Sequence, residues 1–494
     1  MNYKKRFAAD VEKKLDAQAP HLDEFEKKEE TETEKPSHKK LFWSLTGSLV
    51  GAALVLGTLL GIFQPWNKKT GENLGNLLTS PSERDIQKLS YSDDINVVSL
   101  KTINIYKSFV SSFGPEVFQE EDTSSKSFSV LDAFVNVCML AYTSSAEIRD
   151  VILSWLGNPS IEEVNTAVKE LINALGTPYL PSNEILTAPE GGFSLNSIWL
   201  DEQLNLKENS KEYLTVLEDY YYAAVYHSKP SAEKLNQWMK DHVPSSYPKI
   251  PQIVFPDKAK ADINASVLSS YFFFRSFEKA TADIYLSEYQ SGNHYLDYSL
   301  ADGQIKKADY TLQHLKGTRK KIIGSAFEGV KAEMGMAYFL PKEGKLPNQI
   351  MADVINENYS FSSEEYTASL TAPYFLIDNK LDLTPVLRKK GLTMEDGFLA
   401  NLVGFGEQLA EMKQFSLLQY DYSGLYSASI TIANEETTSV PQNEKYDLVL
   451  NRPYALSVSL NVKTEEKVGN VHKNVSLPVI FGEVFDPGYE IYKG

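Results

Sequence analysis

The sequence holds a single cysteine, Cys138, so it can form no internal disulfide and no multi-cysteine metal site. That residue lies in the apolar run 130–142, where a buried structural thiol is expected rather than a nucleophile. Histidine is also scarce, seven in all with no pair at i, i+4, and no metal is expected. Positive charge is in deficit: 49 Lys and Arg against 66 Asp and Glu give a net −17, which argues against general nucleic-acid binding. The motifs of common enzymes are missing, with no Gly-x-Ser-x-Gly elbow, no His-Glu-x-x-His and no Gly-Lys-Ser/Thr phosphate loop. Gly404-Phe405-Gly406 has no βαβ context and reads as a loop. Carboxylates such as Glu435-Glu436 and Glu465-Glu466 read as solvated surface. Neither an enzyme nor a cofactor is implied.

Long hydrophobic runs are absent with one exception. Leu41–Phe63 carries neither charge nor proline over 23 residues, enough for a helix to cross a membrane core. Forty residues precede it and no small-residue cleavage site follows, so a retained single-pass anchor is expected rather than a signal peptide. The lysine and arginine excess of residues 1–40 puts that arm in the cytoplasm and the rest of the chain outside. The arm is densely charged and is expected to be disordered, and residues 64–90 to form a stalk.

What is present is a large apolar supply, 42% of residues with 12% aromatic, enough for a substantial core over 91–494. Helical spacing predicts helices over 97–113, 128–142, 146–156 and 161–175, the last capped by Ser160. Strands are predicted over 193–200, 221–226 and 266–274, with a helix at 207–220 between the first two. Beyond Lys306 short β segments dominate, broken by a helix at 383–390. Helices first and strands later argue α+β, and there is no internal repeat.

Several segments in one chain order resemble the serpin family. Leu477-Pro478-Val479-Ile480-Phe481-Gly482-Glu483-Val484-Phe485-Asp486-Pro487 is similar to its closing strand. Asn451-Arg452-Pro453-Tyr454 is similar to the strand before that one. Pro373-Tyr374-Phe375-Leu376-Ile377, Tyr338-Phe339-Leu340-Pro341, Asn196-Ser197-Ile198-Trp199-Leu200 and Leu235-Asn236-Gln237-Trp238 match further family segments. The resemblance implies a helical half and three β-sheets, preceded here by the single span.

It also implies a test of function. Inhibitory members are metastable: a protease cleaves an exposed loop, which inserts as a new strand in the central sheet with the enzyme attached. Glu435, Glu436, Thr437 and Thr438 are similar to the Glu-Glu/Lys-Gly-Thr hinge of that loop. Thr437 replaces the glycine and removes backbone freedom. Ser439, Val440 and Pro441 stand where the family has small residues, and a proline has no N–H for a central strand. In the family the scissile bond lies roughly sixteen residues beyond the hinge glutamate. From Glu435 that count reaches Asn451, already in a strand, so the connector is short by about nine residues, on the order of 30 Å. Ser427 stands where many inhibitory members carry a histidine, and Val130 replaces a proline after Ser129. The segment 461–476, with Lys463, Lys467, His472 and Lys473, exceeds the usual tight hairpin and reads as a surface insertion. The expectation is a membrane-tethered binding or scaffold module that does not trap proteases, its partner unidentified. The alternative is an inhibitor of an extracellular serine or cysteine protease with a shortened loop in which Lys445 is the basic candidate.

Overall fold

A computed structural model of the chain describes residues 74–81, 97–118, 123–175, 191–243, 250–255, 263–276, 295–331, 335–393, 397–404, 407–421, 424–427 and 445–488. The span expected at 41–63 and the charged arm lie outside these residues. Among the described residues no helix is long and apolar enough to cross a membrane.

Strand β1 (Asn76–Thr79) and the short β2 (Val97–Val98) precede helix α1 (Leu100–Val117), whose N-cap Ser99 accepts from the Thr102 N–H. Next come β3 (Lys126–Ser129), α2 (Val130–Thr143), α3 (Ala146–Trp155) and α4 (Ile161–Leu175). The start of α4 is held reciprocally: Ser160 Oγ accepts from the Glu163 N–H, and Glu163 Oε2 accepts from the Ser160 N–H at 2.8 Å. Strands β4 (Gly191–Leu200) and β5 (Ala223–His227) flank α5 (Ser210–Tyr221). Helix α6 (Ala232–His242) follows and carries Leu235-Asn236-Gln237-Trp238, for which no helix is predicted from the sequence.

The β-rich part runs through β6 (Ala265–Ser276), β7 (Tyr295–Ser299), β8 (Ile305–Ile323), β9 (Phe327–Lys331) and β10 (Met336–Pro341). A short α7 (Met351–Ile355) leads to β11 (Ser360–Pro373), β12 (Phe375–Asp382) and α8 (Thr384–Lys389). The remaining strands are β13 (Lys413–Asp421), β14 (Gly424–Ser427), β15 (Lys445–Val449), β16 (Tyr454–Val468) and β17 (Val471–Val484).

Among the described residues these strands form two hydrogen-bonded sheets, where three are expected. The central sheet has seven strands in the order β1-β5-β4-β6-β14-β13-β12, and the second has ten, β15-β11-β8-β9-β10-β16-β17-β3 with β2 and β7 attached. The merger has a physical cause. β8 is 19 residues long and pairs with β7, β11 and β9 along different parts of its length, so three groups of strands share one ladder.

Two further expectations change. The stretch 64–90 is not all stalk, because β1 pairs with β5 at the edge of the central sheet and Leu74 is buried beside Trp199 and Trp238. The segment 461–476 is a continuation of the β16–β17 ladder, from Asn461↔Ser476 to Val468↔Val471, and β2 lies along it.

The central sheet is sandwiched. Behind it, α2 packs on β6, with Asn136 Nδ2 donating to the Val267 carbonyl at 3.0 Å and Ser269 Oγ to the Asp132 carbonyl at 2.8 Å. In front, α6 covers it with Trp238 and Met239, and Trp199 stacks on Tyr226 with ring centroids 4.2 Å apart. Alternate residues of β6 serve the two sides, Tyr271 the helical core and Phe272 the smaller front cluster.

Candidate functional site: a slot in the central sheet

The chain reverses between Asp421 and Gly424, which pair with each other across a two-residue turn. The returning strand β14 is antiparallel to β13 on one side and to β6 on the other. Ser427 stands level with Leu418 of β13 and Phe273 of β6. β6 and β13 therefore run parallel to each other with β14 wedged between their ends.

Past Ser427 no strand pairs with both β6 and β13 among the described residues. A cavity of about 90 Å³ is bounded behind by Asp132 and Asn136 of α2 and in front by Met239 and Ile253, with Ser269 and Gln414 on its flanks. It runs on into a second space of about 210 Å³ bounded by Leu268, Phe398 and Met412.

The rear wall is polar and closely tied. Ser129 is the N-cap of α2, and its Oγ accepts from the Asp132 N–H. The Ser129 backbone is gripped by Gln414 of β13 through both of its polar groups. One strand register along, Ser416 Oγ meets Ser127 Oγ at 2.6 Å, and Ser127 also donates to Asn379 of β12. The side chain bonded to Ser129 is thus Gln414, while Ser427, aligned above with the family's histidine, belongs to β14. Val130 opens α2 directly.

Asp132 stands out electrostatically. Its Oδ1 is sealed from solvent without a hydrogen-bond partner. Burial raises its carboxyl from the ordinary 3.8 to about 7. Cys138, two turns along the same helix, is fully buried, and burial pushes its thiol up, as suits a structural residue.

Glu435, Glu436, Thr437, Thr438, Ser439, Val440 and Pro441 lie outside the described residues. Lys445 opens β15, where it pairs with Thr367 of the neighbouring parallel strand β11. The reversal at Asp421–Gly424 comes fourteen residues ahead of Glu435. Sequence reasoning passed over Asp132 and Gln414, each of which reads alone as an ordinary polar residue in an amphipathic element. Among the described residues no group of three His, Cys, Asp or Glu could hold a metal ion.

Comparison with known proteins gives one family. The serpin model, described as serine protease inhibitor, matches residues 106–465. Serpin-Z10 of Arabidopsis thaliana is 23% identical over 388 residues, covering 73% of this chain and 91% of that protein. Two solved structures share the fold. Arabidopsis AtSerpin1 in its native stressed conformation has a TM-score of 0.56 at 17% identity, covering 80% of this chain and all of its own. The thermophilic serpin tengpin in its native state also scores 0.56, at 16% identity, covering 77% and 94%.

Proposed function

This chain belongs to the serpin family, and from that premise we propose that it is a loop-inserting protease inhibitor held outside the cell by the span Leu41–Phe63. The observation that carries this reading is the position of β14, antiparallel between β6 and β13. It supports a loop that begins at Gly424 and not at Glu435. Twenty-one residues, Gly424 to Glu444, then precede β15. At about 3.3 Å each they reach roughly 70 Å, whereas a strand matching the whole of β6 needs about 40 Å. The shortage counted from Glu435 disappears on this reading.

The sequence after Ser427 suits the slot. If the register of β14 continues, Ser429, Thr431 and Ala433 come opposite Tyr271, Ser269 and Val267, on the side that faces α2. All three are small, as that packed side requires. Gly424 supplies the hinge glycine that Thr437 lacks, and Pro441 falls beyond the part that inserts. Roughly sixteen residues past Tyr422 lies Thr438–Ser439, our choice for the scissile bond. A small polar residue there fits a serine protease of elastase or subtilisin specificity. Lys445 is less suitable as bait because its bond lies in a β ladder.

The second reading is a non-inhibitory binding or scaffold module. It is favoured by β14 already occupying one end of the slot in the uncut chain, since a strand partly home has less free energy left to release on cleavage. One experiment separates the two. The full chain in mild detergent is mixed with elastase-, subtilisin-, trypsin- and papain-like proteases, and complexes that survive boiling in detergent are sought. The inhibitor reading expects one with the enzymes that cleave after small residues. Cleavage by all four with no such complex supports the scaffold. For the tether, the expectation is that intact cells shield the N-terminus from added protease and expose the C-terminal domain.

A further inference from the structure

We propose that the tip of the β16–β17 hairpin is a lipid contact: Val468 and Val471 dip into the headgroup region of the bilayer that holds the span, with Lys467 and Lys473 set against anionic headgroups. The inference rests on the tether reading above.

The tip is apolar and uncovered. Val468 pairs with Val471 across the two-residue turn Gly469-Asn470, so their side chains lie on one face of the ribbon. They are 68% and 71% exposed, more than any other large apolar residue described. Gly469, at φ +63, has no atom within 4 Å of where a Cβ would stand. The two carboxylates beside the tip are already engaged: Glu465 Oε1 accepts from the Leu100 N–H at 3.1 Å, and Glu466 pairs with Lys473 at 3.0 Å. Lys467 is exposed and has no ion-pair partner among the described residues. Three lysines against two glutamates over 463–473 thus make a basic collar in a chain of net −17. Apolar side chains ringed by cations suit a boundary between acyl chains and anionic headgroups.

The bilayer is within reach. Leu74, buried beside Trp199 and Trp238, follows Phe63 by eleven residues, which extend to at most about 40 Å. From β1 the contacts run unbroken to the hairpin. Thr79 donates to Glu218 of α5, and Tyr221 and Tyr222 at the end of α5 donate to Asn165 and Asn173 of α4 at 2.6 and 2.8 Å. Glu170 of α4 accepts from the Ser99 N–H at 2.9 Å, and the adjoining β2 runs beside β16 from Val97↔Lys463. Packed elements stand about 10 Å apart, so these three steps are comparable with the reach of the linker. Two valines would hold a free protein to a membrane only weakly. On a tethered domain the contact is intramolecular, and a weak one fixes which face turns to the bilayer.

The test uses the full chain reconstituted in vesicles of phosphatidylcholine, with and without phosphatidylglycerol. Cys138 is buried, so an environment-sensitive dye can be attached at Asn470→Cys alone. Its emission should shift to the blue and be quenched by spin-labelled lipid, more strongly with the anionic lipid. Val468→Ser combined with Val471→Ser should cut the quenching several-fold, and Lys467→Glu should remove the gain given by phosphatidylglycerol. The same dye at Ile305→Cys, 61% exposed on β8, should report water throughout. A dye at position 470 that stays in water while the chain resists extraction by alkaline carbonate overturns the inference and leaves the tether intact, as does quenching that survives loss of both valines. A blue shift without lipid quenching assigns the tip to a second copy of the chain and also overturns it. A chain that carbonate extracts overturns the tether reading, and this inference with it.

Discussion

Gln414 holds Ser129 as a neighbouring strand would: its Oε1 accepts from the Ser129 N–H at 2.8 Å and its Nε2 donates to the Ser129 carbonyl at 2.8 Å. One side chain on β13 thereby closes the ladder at the point where β3 becomes α2. Gln414 is buried, so its loss removes both of these bonds with little water to replace them. Gln414→Ala should lower stability by about 2–4 kcal/mol, read from urea unfolding of the full chain. Gln414→Glu keeps the acceptor but sets a carboxylate oxygen against the Ser129 carbonyl in a buried site, so it should cost at least as much as Gln414→Ala. Equal stability of all three would show that the grip contributes nothing.

Asp132 makes stability depend on pH in the opposite sense to an ordinary salt-bridged carboxylate. Its carboxyl rises from 3.8 to about 7 on folding, so the folded chain holds the proton more tightly. The penalty is absent below about pH 4, grows as pH rises to about 7, and is complete above that. Asp132→Asn never carries the charge. Its gain over wild type should be near zero at about pH 4 and reach up to about 4 kcal/mol at about pH 8. Denaturation midpoints at the two ends of that range check it. A gain independent of pH would assign the effect to packing.

Much of the helical half is legible because its apolar spacing and caps agree. The range 161–175 is recovered to the residue, with Ser160 and Glu163 fixing the start. The turn at Asp421–Gly424 is not legible for a physical reason. Its Asp at the first position and Gly at the fourth are ordinary turn preferences, and the aromatic and aliphatic residues around them (Tyr420, Tyr422, Leu425 and Tyr426) carry the strand signal across it. Gln414 and Asp132 are invisible for another reason: their roles depend on contacts between elements nearly 300 residues apart in sequence. No local pattern records such a contact.

The N-terminal edge strand is part of the domain rather than a spacer. Leu74 is 2% exposed and packs with Trp199 and Trp238, and β1 adds backbone bonds to β5. Gly75, at φ +99, brings its α-carbon against Ser228, where an added Cβ would lie 2.3 Å from Oγ. Leu74→Ala should cost about 2–4 kcal/mol and Gly75→Val at least as much as an ordinary surface change several times over. A true stalk would tolerate both, so unchanged melting temperatures would return 74–79 to the linker.

The continued β14 register makes an asymmetric prediction about neighbouring loop residues. Thr431 would come level with Ser269 on β6 and with Gln414 on β13, directly over Asp132. A hydroxyl there can donate to the unpartnered Oδ1, while a carboxylate would set two like charges together in a dry site. Ile430, one residue earlier, would face the opposite side of the sheet toward α6. If the chain inserts its loop as proposed, Thr431→Glu should therefore abolish the heat resistance gained on nicking. Thr431→Val should slow the gain without abolishing it, and Ile430→Val should change little. If Thr431→Glu still inserts at the wild-type rate, the register is wrong and the strand does not pass over Asp132.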